Sequence, residues 1–172
     1  MGRTDAVSAG PLSVIPSSSL SDPLVTGPEI VIRVAREGDL DVVSQDGHLS
    51  DAVLQRKLSD GDVFLALGDR EPVGYLRLEW LWSTLPYIER IWVRESHRRA
   101  GVGRRLLAHV ENGLAGRGHA VLYSSSQADE PAPQAWHRRM GFEECGLLAG
   151  MNEGGVGEVF FRKALGPSGG AT

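Results

Sequence analysis

The chain has 172 residues, 41% hydrophobic and 23% charged, which suits one compact domain with its own core. A net charge of −4 argues against a dedicated nucleic-acid binder, since such domains are usually basic overall. Cys145 is the only cysteine, so an intrachain disulfide is excluded and a reducing compartment is the default, and no apolar run is long enough to span a membrane.

Residues 1–28 are rich in Ser, Pro and Gly with scattered apolar residues, and are expected to form a disordered extension. They lack the basic flank and continuous apolar core of a signal peptide, so a cytoplasmic protein is expected. Order is expected over residues 29–165, with 166–172 as a tail. Ile30–Val34 is a strand candidate. A short helix follows from Leu40 with Asp39 as its cap, then a second over Ser50–Leu58 with Ser50 as cap. Asp46, His48 and Asp51 lie on these helices and the loop between them. They either meet a cationic ligand or face solvent.

Asp62–Leu67 and Val73–Trp82 read as strands joined by the turn Gly68-Asp69-Arg70-Glu71-Pro72. Ser83 to Pro86 turns the chain into a central strand, Tyr87–Val93, so the sheet to this point is an antiparallel meander. After an arginine-rich turn a helix begins, with Val102, Leu106, Leu107, Val110 and Leu114 as one apolar stripe. His119–Tyr123 then makes a strand, and the strand–helix–strand unit implies a parallel crossover. Ser124 to Pro133 reads as a polar loop, with Pro133 in the first turn of a helix over Gln134–Met140. Two final strands are expected at Phe142–Leu148 and Gly157–Lys163, and Cys145, in an apolar strand pattern, is expected to pack.

The stretch from Ile88 to Leu114 holds the strongest functional signal. A strand feeding a glycine-bearing turn and then a helix directs unpaired backbone N–H groups, with the positive end of the macrodipole, at an anion. Gly101 and Gly103 let a ligand approach the backbone. Arg90, Arg94, Arg98, Arg99, Arg104 and Arg105 cluster around this turn, as an anionic ligand requires; Arg104 and Arg105 either serve such a ligand or pair with Glu111 or water on a solvated helix face. A dinucleotide fingerprint needs a third glycine where Leu106 stands, and a P-loop needs Gly-Lys-Ser/Thr where Arg104 and Arg105 stand. Neither common nucleotide motif is present, and the reading is a pyrophosphate cradle.

Arg98-Arg99-Ala100-Gly101-Val102-Gly103 resembles the Arg/Gln-x-x-Gly-x-Gly/Ala signature of the GNAT family of N-acetyltransferases. Ala135-Trp136-His137-Arg138-Arg139-Met140-Gly141-Phe142 is similar to that family's downstream helix and Gly-Phe segment. The resemblance covers roughly residues 30–165. It implies an α/β fold with a mixed sheet, mostly antiparallel with one parallel strand–helix–strand crossover, flanked by helices. It also implies acetyl-coenzyme A as cosubstrate, with no metal, and a small primary amine as acceptor. A coenzyme-binding module without chemistry and a protein or peptide acetyltransferase are the alternatives. The last strands of such domains often pair across a homodimer.

By the same resemblance, N–H groups of Ile91, Trp92 and Val93 bind the acetyl carbonyl and pantetheine arm. The motif residues Arg98, Arg99, Ala100, Gly101, Val102, Gly103 and Arg104 hold the phosphates. The position usually held by a catalytic Glu carries Tyr87, which is therefore a catalytic candidate. Glu89, two residues on and on the same face by strand periodicity, is either the base or a partner of Arg90 or Arg77. Glu79 is the reserve carboxylate. His137 stands where many members have a Tyr acid; it either protonates the leaving sulfur, given a raised pKa, or holds the thiol by a hydrogen bond, or else caps helix backbone or faces solvent. Glu130 replaces an Asn that often braces the coenzyme, and is expected near the pantetheine amides or the acceptor. Trp80, Trp82 and Tyr87 either wall the acceptor or pack as core.

Overall fold

Val63–Gly68 (β2) and Glu71–Leu81 (β3) bury most of their side chains, because helices cover this strand pair on both faces. The structure, a computed structural model, describes residues 29–166. The extension expected over 1–28 and all of the tail but Gly166 lie outside the described residues. Three further strands, Ile30–Val34 (β1), Leu85–Val93 (β4) and Val121–Gln127 (β5), join Glu143–Leu148 (β6) and Glu158–Ala164 (β7) in one seven-stranded sheet. Its order is β1-β2-β3-β4-β5-β7-β6, antiparallel except for the pair β4 and β5. The expected mixed sheet with one parallel crossover is what forms.

Helix Val102–Gly116 (α3) supplies that crossover. Its stripe of Val102, Leu106, Leu107, Val110 and Leu114 is buried against Leu76, Leu78 and Ile88. Helix Pro131–Arg139 (α4) lies on the same face, where Trp136 packs against this core. Leu40–Val43 (α1) and Asp51–Asp60 (α2) bury Val43, Leu54 and Leu58 against Leu65 and Tyr75 on the other face. Asp39 does not cap α1 with its side chain. It forks with Arg33 at 2.7 and 2.8 Å and accepts the Arg36 N–H at 2.7 Å.

Several expectations change here. The run Ser124–Gln127, read as loop, continues β5, because β7 pairs with it through Gln127 and fills its ladder. Helix α4 begins at Pro131 rather than Gln134, and proline suits that first position since it lacks only an N–H that would go unbonded. Cys145 does not pack: all of β6 is exposed at the sheet edge, Leu147 and Leu148 included. No aromatic wall forms either. Trp80 packs against the α3-side core with its indole N–H on Asp62 at 3.0 Å, Trp82 is 84% exposed, and Tyr87 lies on the other face.

Where β4 meets its neighbours the ladder breaks twice. Arg77 pairs with Arg90 and Leu78 with Ile88, so Glu89 is the extra residue of a β-bulge. Against β5, β4 pairs only at Tyr87 and Ile88. A bulge bends its strand, and from Glu89 onward β4 leaves β5. That divergence opens the site.

Candidate functional site

At the start of α3 the backbone turns through two left-handed residues, Arg99 (φ 64°) and Gly101 (φ 81°). The helical ladder first closes at Arg105, whose N–H donates to Gly101 O at 3.0 Å. Among the described residues, the amides of residues 99–104 donate to no backbone carbonyl. This is the arrangement that binds anions at helix N-termini. Arg98 ties the turn back to the strand, its Nε donating to Val93 O at 3.1 Å.

The turn opens on a cleft of about 810 Å³ between the free edge of β4 and α4. One end is cationic, with Arg98, Arg99, Arg104 and Arg139 beside Gly101 and Gly103. The remainder is mostly apolar, with Ile91, Val93, Val102, Trp136 and Met140, and it includes His97 and His137. A Cβ on Gly103 would enter the cleft, 3.7 Å from Ile91 and 3.8 Å from Trp136. Glycine at 101 answers to the backbone instead, since nothing lies within 4 Å of its Cβ position while its φ is positive. The donor set fits a ligand with a diphosphate at one end and a slender, mostly apolar arm.

Strand alternation decides which β4 amides face the gap. The Arg94 N–H donates to Val73 O across β3 at 2.9 Å, so Trp92 also turns its amide to β3, while Ile91 and Val93 turn theirs toward the gap. The Trp92 side chain is on the opposite face, stacked on Tyr75 at 5.5 Å. Ala100 is exposed and lies outside the cleft lining, although its amide is free. Glu130 is exposed at the N-cap of α4 and does not line the cleft. Of the six clustered arginines, Arg90, Arg94 and Arg105 stay outside it, and Arg90 instead pairs with Asp46 at 3.5 Å. Sequence reasoning missed Arg139 and Trp136. Their signal was helical spacing, since the two lie three residues apart, one turn of α4, and both line the cleft.

The structure buries His137 to 4% exposure and engages both ring nitrogens. Pro133 O can only accept, so Nδ1 at 2.9 Å carries the proton. Nε2, at 2.8 Å from Ser124 Oγ, is therefore the acceptor. The ring stacks on Phe161 at 4.6 Å and meets Phe142 edge-on. Burial pushes its pKa below the usual histidine value, only partly offset by the Pro133 bond. The raised pKa that an acid role calls for is the opposite of what this environment produces. A depressed histidine stabilises the fold above its unfolded pKa of about 6.5, and that contribution is lost as pH falls through the folded value. Urea denaturation is accordingly expected to show stability declining below about pH 6.5, a slope that His137→Gln flattens.

On the opposite face lies a second polar assembly. Glu89 does share the face of Tyr87, and both its oxygens bind Arg77, at 3.0 Å from Nε and 3.3 Å from Nη2. Of the two partners foreseen for it, Arg77 is the one found. Arg77 is fully buried and also reaches Asp46 at 3.0 Å and Val43 O at 3.2 Å. Asp46 is thus committed within the protein, with Tyr75 as a further donor. Burial would raise the Asp46 carboxyl, but the Tyr75 hydroxyl, the His48 N–H and Arg77 outweigh it and hold it low. Burial and the bond to Asp46 push the Tyr75 phenol well up. Glu79 pairs with Lys57 at 2.8 Å, and this ion pair with the Trp80 N–H overcomes burial to lower its pKa. Tyr87, its phenol raised chiefly by burial, bonds Ser125 Oγ at 2.6 Å.

Known proteins share this framework. The chain is 33% identical over 103 residues to streptothricin acetyltransferase of Streptomyces lavendulae, covering 58% of this chain and 54% of that protein. It thus spans about half the length of that relative. It is also 33% identical over 119 residues to aminoglycoside N(6')-acetyltransferase type 1 of Stenotrophomonas maltophilia, covering 64% and 71%. Among solved structures, the ribosomal-protein-S18-alanine N-acetyltransferase of Escherichia coli matches 84% of this chain and 99% of its own, with a TM-score of 0.69 at 18% identity. A Bacillus anthracis protein solved in complex with acetyl coenzyme A matches 60% and 62%, with a TM-score of 0.56 at 21% identity. Residues 34–142, well over half of the chain, match the Acetyltransferase (GNAT) family. A free-amide turn at the head of α3, a split between β4 and β5 and this match together place the chain in the GNAT acetyltransferase family.

Proposed function

We propose that the protein transfers an acetyl group from acetyl-coenzyme A to a primary amine of a small molecule, both reactants being held at once. The observation that carries this reading is the run of unbonded amides at residues 99–104, opening on a cleft that follows the free edge of β4. Those amides, with Arg98, Arg99, Arg104 and Arg139, would hold the diphosphate. Ile91, Val93, Trp136 and Met140 would enclose the arm and exclude water. The coenzyme supplies the activated acyl group as a thioester. N–H groups of Ile91 and Val93 face the gap and can donate to a carbonyl oxygen there, stabilising charge that develops on it. An acceptor amine reaches the same gap from the opposite face, where Tyr87 and Glu89 stand.

The two antibiotic acetyltransferases among the relatives favour a small, amine-bearing acceptor. An inactive coenzyme-binding module is the second reading, favoured by two observations: Arg77 occupies both oxygens of Glu89, and His137 is buried with both ring nitrogens engaged within the protein. Thiol release from acetyl-coenzyme A, followed across a panel of mono- and polyamines, separates them. Turnover with at least one amine is expected. Tight coenzyme binding with no turnover on any amine, peptide N-termini included, would instead establish the module.

A further inference from the structure

Tyr87, Ser125 and Glu158 form a chain of hydrogen bonds whose direction is fixed by chemistry. Glu158, as a carboxylate, can only accept, so the Ser125 hydroxyl donates to its Oε1. Ser125 has a single proton, so across the 2.6 Å contact the Tyr87 hydroxyl must donate to Ser125. Both hydroxyl protons therefore point toward β7, and the outward lone pair of Tyr87 is left as an acceptor. Oε2 of Glu158 takes the Asn152 amide at 2.7 Å, and no cation pairs with this carboxylate among the described residues.

Position gives the chain its meaning. Tyr87 is paired with Tyr123 at the point where β4 and β5 part, and beyond Ile88 the two strands no longer pair. Its side chain emerges on the face opposite α3 and α4, since Ser124 turns to His137 and Ser125, next along β5, turns away. Tyr87, Ser125 and Glu158 are all half-buried, within reach of a ligand on that face. Of the carboxylates near the gap, Glu89 is taken up by Arg77 and Glu79 by Lys57. Glu158 alone of the three is bonded only to neutral donors. The charged or titratable groups facing the chain are Glu89 on β4, Glu79 opposite on β3, Tyr123 on β5 and Arg162 on β7.

We propose that Tyr87, Ser125 and Glu158 are a proton relay that takes a proton from the acceptor's ammonium group and delivers it to the β7 carboxylate. The inference rests on the acetyl-transfer reading above. One N–H bond of the ammonium breaks as an O–H bond forms on Tyr87. The original Tyr87 proton passes to Ser125, and the original Ser125 proton passes to Glu158. The nitrogen keeps its electron pair and becomes a neutral amine, while Glu158 becomes a neutral acid that returns its proton to water. Tyr87 is the catalytic member because it touches the acceptor; Ser125 and Glu158 act through it.

Tyr87→Phe, Ser125→Ala and Glu158→Gln are each expected to lower kcat about 100-fold, the usual scale for losing a general base. The acceptor KM and the affinity for acetyl-coenzyme A should change less than about threefold on the same scale. Because one wire is broken once, the double variant Ser125→Ala/Glu158→Gln should be no slower than either single. Ser125→Thr keeps the hydroxyl and should regain most of the rate. A readout independent of turnover is ultraviolet titration of tyrosine: Glu158→Gln should lower one phenol pKa, and that titration should be missing in Tyr87→Phe. Full activity in Ser125→Ala, additive losses in the double variant, or an unmoved phenol would overturn the relay alone. A wild-type protein that binds acetyl-coenzyme A but acetylates nothing would overturn the acetyl-transfer reading, and the relay with it.

Discussion

Arg77→Met is expected to destabilise the protein by about 3–5 kcal/mol, the range for removing one partner of a buried ion pair. The guanidinium is fully buried and joins three segments: the end of α1 through Val43 O, the following loop through Asp46, and the β4 bulge through Glu89. Its ring-facing side lies 5.4 Å from the centre of Tyr75. Deleting it strands the Asp46 carboxylate, whose side chain is only 6% exposed, with Tyr75 and a longer contact to Arg90. A domain of ordinary stability has about 5–15 kcal/mol in total, so the loss would be a large share of it. Arg77→Lys should fall between, because an ammonium restores the charge without the fork that spans both acids. Urea denaturation measures this. A change under about 1 kcal/mol, the scale of an exposed pair, would mean that Arg77 is solvated and the site face is less closed than described.

The second large effect is at Gly101. Replacing it by valine asks a β-branched residue to hold φ near 81°, in a region that costs L-residues about 1–2 kcal/mol and β-branched ones more. Gly101 is exposed with open space around its Cβ position, so the turn can escape by rotating rather than by unfolding. Rotation re-aims the amides of residues 99–104. Hydrogen bonds to a charged group contribute about 1.5–3 kcal/mol each, so misaiming two of them should weaken coenzyme A binding by more than about 100-fold. Calorimetry on Gly101→Val tests this, with denaturant stability as the control. Undiminished affinity would place the anion elsewhere.

The turn at the head of α3 was legible in the sequence because backbone forms it. A turn that must present amides advertises itself through glycine spacing and the apolar period of the helix after it. The face opposite was much less so. Ser124, Ser125 and Ser126 have little strand propensity, and only the partner strand β7 explains why they are extended. With that stretch taken for a loop, Ser125 could not be placed beside Tyr87, nor Glu158 beside Ser125. The motif around His137 gave no sign of its burial, which depends on Phe161 packing against it from 24 residues further along the chain. The bulge at Glu89 depends on its register with β3 and leaves no mark in composition. Glu89 was placed on the right face, yet the fork from Arg77 that occupies it is a tertiary fact.

The most direct test is amide hydrogen exchange on the wild-type protein with and without coenzyme A. Amides of residues 99–104 have no backbone acceptor in the free chain and should exchange quickly. Bound coenzyme A should protect them together with the β4 amides of Ile91 and Val93. Protection confined to other segments, with residues 99–104 still exchanging freely at saturation, would contradict the account.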